Sequence, residues 1–195
     1  MVYFSIWDAY RLGVGYIRRR FQKTAINVAS IALANSFLTS LIFTNQFYTI
    51  YNKIQGGNIH VDVYQYWLVV VALIVSIVGI TNTMLISVYE RYQEIGTMKC
   101  LGALDQHIVM IFLVESIIQG TSGGIIGFML GLTAAIVSAG FTIGFDIIFN
   151  LNIMLLVGYL VSTNILCVFL SIIASMYPAR RASTLPPVEA LSYEL

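Results

Sequence analysis

Charge is scarce in this sequence. Only 10% of its 195 residues are charged, against 58% hydrophobic, and the mean hydropathy is +0.85. A soluble domain of this size needs far more polar surface, so the composition points to lipid as the bulk solvent. The 10 basic and 9 acidic side chains leave a net charge of +1, which argues neither for a nucleic-acid partner nor for an acidic soluble substrate. The two cysteines, Cys100 and Cys167, form neither a disulfide framework nor a metal-ligand spacing. No Gly-Lys pair occurs, which excludes the phosphate-cradling loop of P-loop ATPases, and no His-Glu-x-x-His zinc signature is present. No nucleophile, base and orienting acid can be assembled from the rest. The expectation is a chain without catalysis, metal or bound cofactor of its own.

Long apolar runs fill the space that charge vacates. Four reach the roughly 20 residues a bilayer requires, at about 24–49, 66–89, 107–139 and 151–176. The expected fold class is therefore an all-α integral membrane protein of four transmembrane helices, forming one domain over 1–195. The third run is longer than a bilayer needs, so it tilts, projects, or breaks near Gly140 and Gly144. Arg11, Arg18, Arg19, Arg20 and Lys23 precede the first run, Arg91 and Lys99 separate the second and third, and Arg180 and Arg181 follow the fourth. Only Lys53 falls on the other side, so the positive-inside rule places both termini in the cytoplasm. Residues 1–23 carry Phe4, Trp7, Val14, Ile17 and Phe21 at helical spacing and are expected to lie as an amphipathic helix in the cytoplasmic interface, not as a cleaved signal.

Three polar or small-residue patterns stand out. The hydrophilic break "ISVYERYQEIGTMKCLGALDQH" gathers Glu90, Arg91, Glu94 and Lys99, with Ile95 and Met98 at helical spacing. Gly102 is placed to end a short helix there and Asp105 to cap the next. Such a stretch is either a solvated connector or a ledge for a docked partner. The run "GTSGGIIGFMLG" spaces Gly120 and Gly124, and Gly123, Gly127 and Gly131, four apart, a pattern that lets helix backbones approach closely in lipid. The contact is either a second subunit or a neighbouring span. Glu115 lies about 12 Å beyond His107 along a helix. An intramembrane carboxylate is a functional suspect by default, here an ion relay, unless a polar neighbour such as Asn82 or Ser76 on the second run holds it.

Residues 78–131, "VGITNTMLISVYERYQEIGTMKCLGALDQHIVMIFLVESIIQGTSGGIIGFMLG", resemble the core of the MacB/FtsX-like ABC transporter permease family, of type VII-like fold. The resemblance rests on Asn82, Met84, Leu85, Ser87, Val88, Glu90, Arg91, Glu94, Ile95, Gly96, Lys99, Leu101, Gly102 and Ala103. A second block, "YPARRASTLPPVEAL", is similar to the family's carboxy-terminal signature through Pro178, Ala179, Ala182, Leu185, Pro187, Glu189, Ala190 and Leu191, with Arg180 and Arg181 inside it; Pro186 stands where the family usually has aspartate.

The resemblance implies a transmembrane subunit that pairs with a second permease, as homodimer or heterodimer, in the cytoplasmic membrane. It also implies a separate ATP-binding subunit that carries ATP and Mg and grips a coupling helix over Glu90, Arg91, Glu94, Ile95, Gly96, Lys99 and Gly102. The stretch between the first two runs is too short for the large extracytoplasmic domain usual in the family. The expectation is a minimal form that works on a hydrophobic substrate among its spans or drives a separate extracytoplasmic protein. The alternatives are a non-transporting scaffold that recruits an ATPase and an ion-coupled carrier using Glu115.

Overall fold

The computed structural model describes residues 21–55, 62–142 and 153–184, and within them every regular element is an α-helix. They are α1 (Phe21–Gln55), α2 (Val63–Glu90), α3 (Tyr92–Cys100), α4 (Asp105–Thr142) and α5 (Ile153–Ser183). All but α3 are long and apolar enough to cross a membrane. Lipid cannot satisfy exposed backbone polar groups, so apolar runs of this length close their hydrogen bonds internally as helix. The amphipathic helix expected over 1–23 falls almost wholly outside the described residues, as do Pro187 and Glu189.

One boundary differs from the sequence reading. The third run forms α4, which passes through Gly140 and is described to Thr142, while Gly144 lies outside the described residues. At 38 residues α4 is about 57 Å long, more than a bilayer's roughly 45 Å including headgroups. The fourth run, expected to stop near residue 176, continues helically to Ser183, with Pro178 inside the helix and Arg180 and Arg181 in its last turn. A proline there deprives the carbonyl of Ala174, four residues earlier, of its backbone donor. The Thr81 hydroxyl of α2 lies 3.0 Å from that oxygen and 2.8 Å from its own Ile77 carbonyl, so one hydroxyl proton is shared between them. A side chain on a neighbouring helix thereby takes over the bond the proline removed.

The chain forms two compact units. One comprises 1–27, 77–120 and 168–195, with α3 between the end of α2 and the start of α4. Its apolar core includes Ile80, Met84, Val88, Ile95, Ile108 and Phe112, all buried. Gly120 faces α5 here: a Cβ on it would lie 3.0 Å from the Val168 Cα and 2.9 Å from the Ser171 hydroxyl.

The second unit comprises 28–76 and 121–167. Its core is aromatic, with Phe43 against Phe128 at 5.8 Å and Tyr159 at 5.6 Å in edge-to-face geometry, closed by Ala135 and Ala139. Glycine spacing brings the helices together. A Cβ on Gly127 or Gly131 would meet the Ala32 or Ser36 carbonyl of α1 at 2.5 Å, and one on Gly123 would meet Ile31 at 2.8 Å. Gly124 faces α5 at Asn164 and Cys167. The close approach lets Asn35 Nδ2 donate to the Gly124 carbonyl at 2.7 Å and Asn164 Nδ2 donate to that of Thr121 at 3.3 Å. In lipid such packing and inter-helix hydrogen bonds replace the hydrophobic effect as the cohesive force.

Gly127→Ile should destabilise the protein by about 2 kcal/mol through overpacking. Gly158→Ala, whose Cβ meets nothing within 4 Å, should leave it unchanged or gain up to about 1 kcal/mol from helix propensity. Both are read by reversible unfolding in detergent. In the same assay Thr81→Val should cost about 1–3 kcal/mol by orphaning the Ala174 carbonyl. Adding Pro178→Ala, which restores a backbone donor, should recover most of that loss.

Candidate functional site

The hydrophilic break folds as a helical corner within the first unit. Its two ends have local causes. The backbone turns at Arg91 (φ −105°, ψ 15°), so α2 stops at Glu90 and α3 starts on a new axis. At the other end Gly102 adopts φ +92°, a conformation that L side chains rarely take. Its N–H donates to the Lys99 carbonyl at 3.0 Å, and that of Ala103 donates to the Met98 carbonyl at 3.0 Å. This pair of bonds is the Schellman closure that satisfies the last carbonyls of a helix. Asp105, expected as a cap, is instead the first residue of α4, and its carboxylate takes an ion pair from Lys99 Nζ at 2.9 Å.

What holds the corner is buried. Arg91 and Glu115 are each 3% exposed. Arg91 Nη1 donates to Glu115 Oε2 at 3.0 Å and Nη2 to Oε1 at 3.3 Å, and the guanidinium lies 5.9 Å from the Phe112 ring centre. Two parallel N–H···O bonds fix orientation as well as distance. The string continues along α4 and across to α1: Gln119 Nε2 reaches Glu115 Oε1 at 3.5 Å, and Asn27 Nδ2 donates to Gln119 Oε1 at 3.2 Å. Glu115 is thus tied to Arg91, and the partners expected on α2 are not used. Asn82 is exposed on α2. Sequence reading missed the pairing because 24 residues separate the two groups; it saw Asn27 only as one of the polar residues of the first run, and it missed Gln119. Gln119 at i+4 from Glu115 was the one available signal.

The residues expected on one docking ledge divide into two sets. Arg91, Ile95 and Gly96 are buried. Lys99 is half-buried, and its Nζ donates to the Ser183 carbonyl at the end of α5, so it ties three helices together. Glu90, Gln93, Glu94, Thr97 and Cys100 face outward. Leu101 is 86% and Leu104 62% exposed beside the Gly102 turn. From sequence Leu101 was read only as a position of the family motif and Leu104 not at all, because only the backbone turn shows that they point away from the core. Pro178 is buried while Arg180 and Arg181 are exposed in the last turn of α5. The cavity under α3, lined by Arg91, Ile95, Met98, Ile108 and Phe112 among others, is about 20 Å³, room for about one water. The corner is therefore suited to contact, not to holding a small molecule. Among the described residues no group of three or more His, Cys, Asp or Glu side chains is placed to bind a metal.

Residues 66–187, more than half of the chain, match the family described as FtsX-like permease C-terminal. The macrolide export ATP-binding/permease protein MacB of Bdellovibrio bacteriovorus is 35% identical over 124 residues, covering 64% of this chain and 18% of that protein. MacB of Campylobacter jejuni is 37% identical over 126 residues, covering 64% and 19%. The ABC transporter permease YknZ of Bacillus subtilis is 35% identical over 132 residues, covering 64% and 30%. The chain thus spans less than a third of the length of these relatives.

Breaking the buried pair tests its weight. Arg91→Met or Glu115→Met alone should cost about 3 kcal/mol by leaving a polar partner buried without its counterpart. The double variant Arg91→Met/Glu115→Met should recover at least half of the summed loss, read as coupling in a double-mutant unfolding cycle.

Proposed function

This chain belongs to the FtsX-like permease family, and we propose that it is the membrane subunit of an ABC transporter whose α2–α3–α4 corner seats a separate ATP-binding subunit. The observation that supports this most is the division of labour at the corner. Arg91, Ile95, Gly96 and Lys99 anchor α3 inward, which leaves Glu94, Thr97, Leu101 and Leu104 as a rigid outward face. Exposed leucines beside carboxylates suit a protein partner, with apolar anchors inside a polar rim.

In this reading catalysis belongs to the partner, which supplies ATP and Mg, and this chain carries no chemistry of its own. Closure of two ATP-binding subunits displaces two such corners. The Arg91–Glu115 pair prevents α3 from pivoting freely, so its displacement passes into α4 instead of being lost in a loose elbow. A site can bias another only through an element of this kind that has two arrangements. The corner faces the cytoplasm by the positive-inside rule, with Arg180 and Arg181 on the same side and Lys53 on the other. The second permease, identical or related, is supported by Asn82, an exposed amide amid exposed Val75, Val78 and Ile86 on α2. An amide in lipid gains by finding a polar partner on another helix. The movement serves export, or transmission of force to an extracytoplasmic protein.

The test is reconstitution with the ATP-binding subunit in nanodiscs. Glu94→Arg and Leu101→Asp/Leu104→Asp should each weaken subunit association at least fivefold and lower coupled ATPase activity in proportion, with the permease still folded. Gly102→Ala should act more mildly, through about 1–2 kcal/mol of backbone strain in the Schellman turn. Full association and full ATPase rate in both outward-face variants would refute the seat.

A further inference from the structure

The second unit encloses a polar pair that the docking corner does not use. Asn35 and Thr39 of α1 are both 0% exposed. They lie on the face of α1 that meets α4, where a Cβ on Gly127 would be 2.8 Å from the Asn35 Cβ and one on Gly131 2.6 Å from the Thr39 Cβ. Asn35 Nδ2 is spent on the Gly124 carbonyl at 2.7 Å. That bond fixes the amide, because turning it over would set two acceptor oxygens against each other. Asn35 Oδ1 is therefore an acceptor held inside the unit, and it hydrogen-bonds no described residue.

The Thr39 hydroxyl has no partner among the described residues either. Thr49, Thr81, Thr83, Ser116 and Thr163 return theirs to the carbonyl four residues back, the ordinary solution in a membrane helix. Thr39 departs from that habit, one helical turn from an amide oxygen that is also unmet. A buried polar group without a hydrogen bond is costly, and folded proteins meet such groups with protein or with internal water.

Spacing and chemistry identify what meets this pair. Residues four apart on a helix have Cβ atoms about 5–6 Å apart. Two hydrogen bonds of about 2.8 Å each, made through one oxygen, span that distance. Asn35 Oδ1 only accepts, whereas the Thr39 hydroxyl can donate, and a water completes both by donating to the first and accepting from the second. We infer that Asn35 and Thr39 form the site of one internal water, which closes the polar side of the α1–α4 seam. A cation does not suit the same oxygens. Both are neutral, and the one carboxylate in the described part of this unit, Asp62, precedes α2. A cation there would be buried without a counter-charge, at a cost two neutral oxygens do not offset.

The experiment is solid-state NMR of the full chain in lipid bilayers, with magnetisation passed from water protons to nitrogen. The Asn35 side-chain signal should build up at least threefold faster than the backbone amide of Ala135, which is equally buried. Thr39→Val, which keeps the shape and removes the hydroxyl, should slow that build-up at least threefold, and Thr39→Ser should preserve it. Build-up at Asn35 no faster than at Ala135 in the unaltered chain overturns the inference, and that comparison stands even if the valine variant misfolds. Undiminished transfer in a folded Thr39→Val also overturns it, because the hydroxyl is then no part of the site. The unfolding midpoint should be the same in sodium chloride as in choline chloride. Stabilisation by sodium that Thr39→Val abolishes overturns the water and assigns the pair to a cation. None of these readouts involves an ATP-binding subunit, so the site stands or fails independently of the docking corner.

Discussion

A guanidinium and a carboxylate, both almost fully withdrawn from solvent, meet through two hydrogen bonds at the point where α2 ends and the chain changes direction. Neither charge is stable alone in that setting. Desolvation penalises each by several kcal/mol, and only mutual pairing with good geometry offsets it. The backbone at Arg91 and the face of α4 that carries Glu115 are thus fixed relative to each other. Gln119 and Asn27 extend the constraint to α1, while Lys99 adds a separate tie to the ends of α4 and α5. A short helix of nine residues would be marginal by propensity alone. These ties, together with Ile95 in the core and the Schellman turn at Gly102, are what make it a defined element.

The same economy of polar groups runs through the rest of the chain. Where lipid removes the hydrophobic effect, several polar side chains inside the spans are placed where they replace a missing bond or permit a close approach. Thr81 serves the carbonyl that Pro178 abandons, Asn35 binds the Gly124 carbonyl of α4 where Gly127 lets α1 come near, and Asn164 reaches Thr121 from α5. The glycine series read from sequence as a seam for either a second subunit or a neighbouring span is occupied within the chain, Gly123, Gly127 and Gly131 on α1 and Gly120 and Gly124 on α5. Two helices share one ladder because steps of four keep each series on one face, while the one-residue offset between Gly123 and Gly124 turns the two series about 100° apart.

Some polar side chains do not follow this pattern. Asn82 sits outward among apolar neighbours, and Glu94 stands with Leu101 and Leu104 on the face of the corner. Each is a departure from local satisfaction, and the proposed second permease and ATP-binding subunit would meet them.

Composition and run length by themselves determined the fold class, since a chain this poor in charge cannot pack against water and apolar stretches of this length close their hydrogen bonds only as helix. Gly102 was legible as a helix end for a similarly local reason, the need for a positive φ. The family signature marked the stretch from Glu90 to Gly102 as a unit, but it did not say which of those residues face in. That was decided by tertiary structure alone: Arg91 turned to Glu115, Lys99 turned to Ser183 and Asp105, and Leu101 and Leu104 were left outside. Such partnerships depend on which helix lies beside which, and helical periodicity specifies the face of a residue on its own axis but not the neighbour that face will meet.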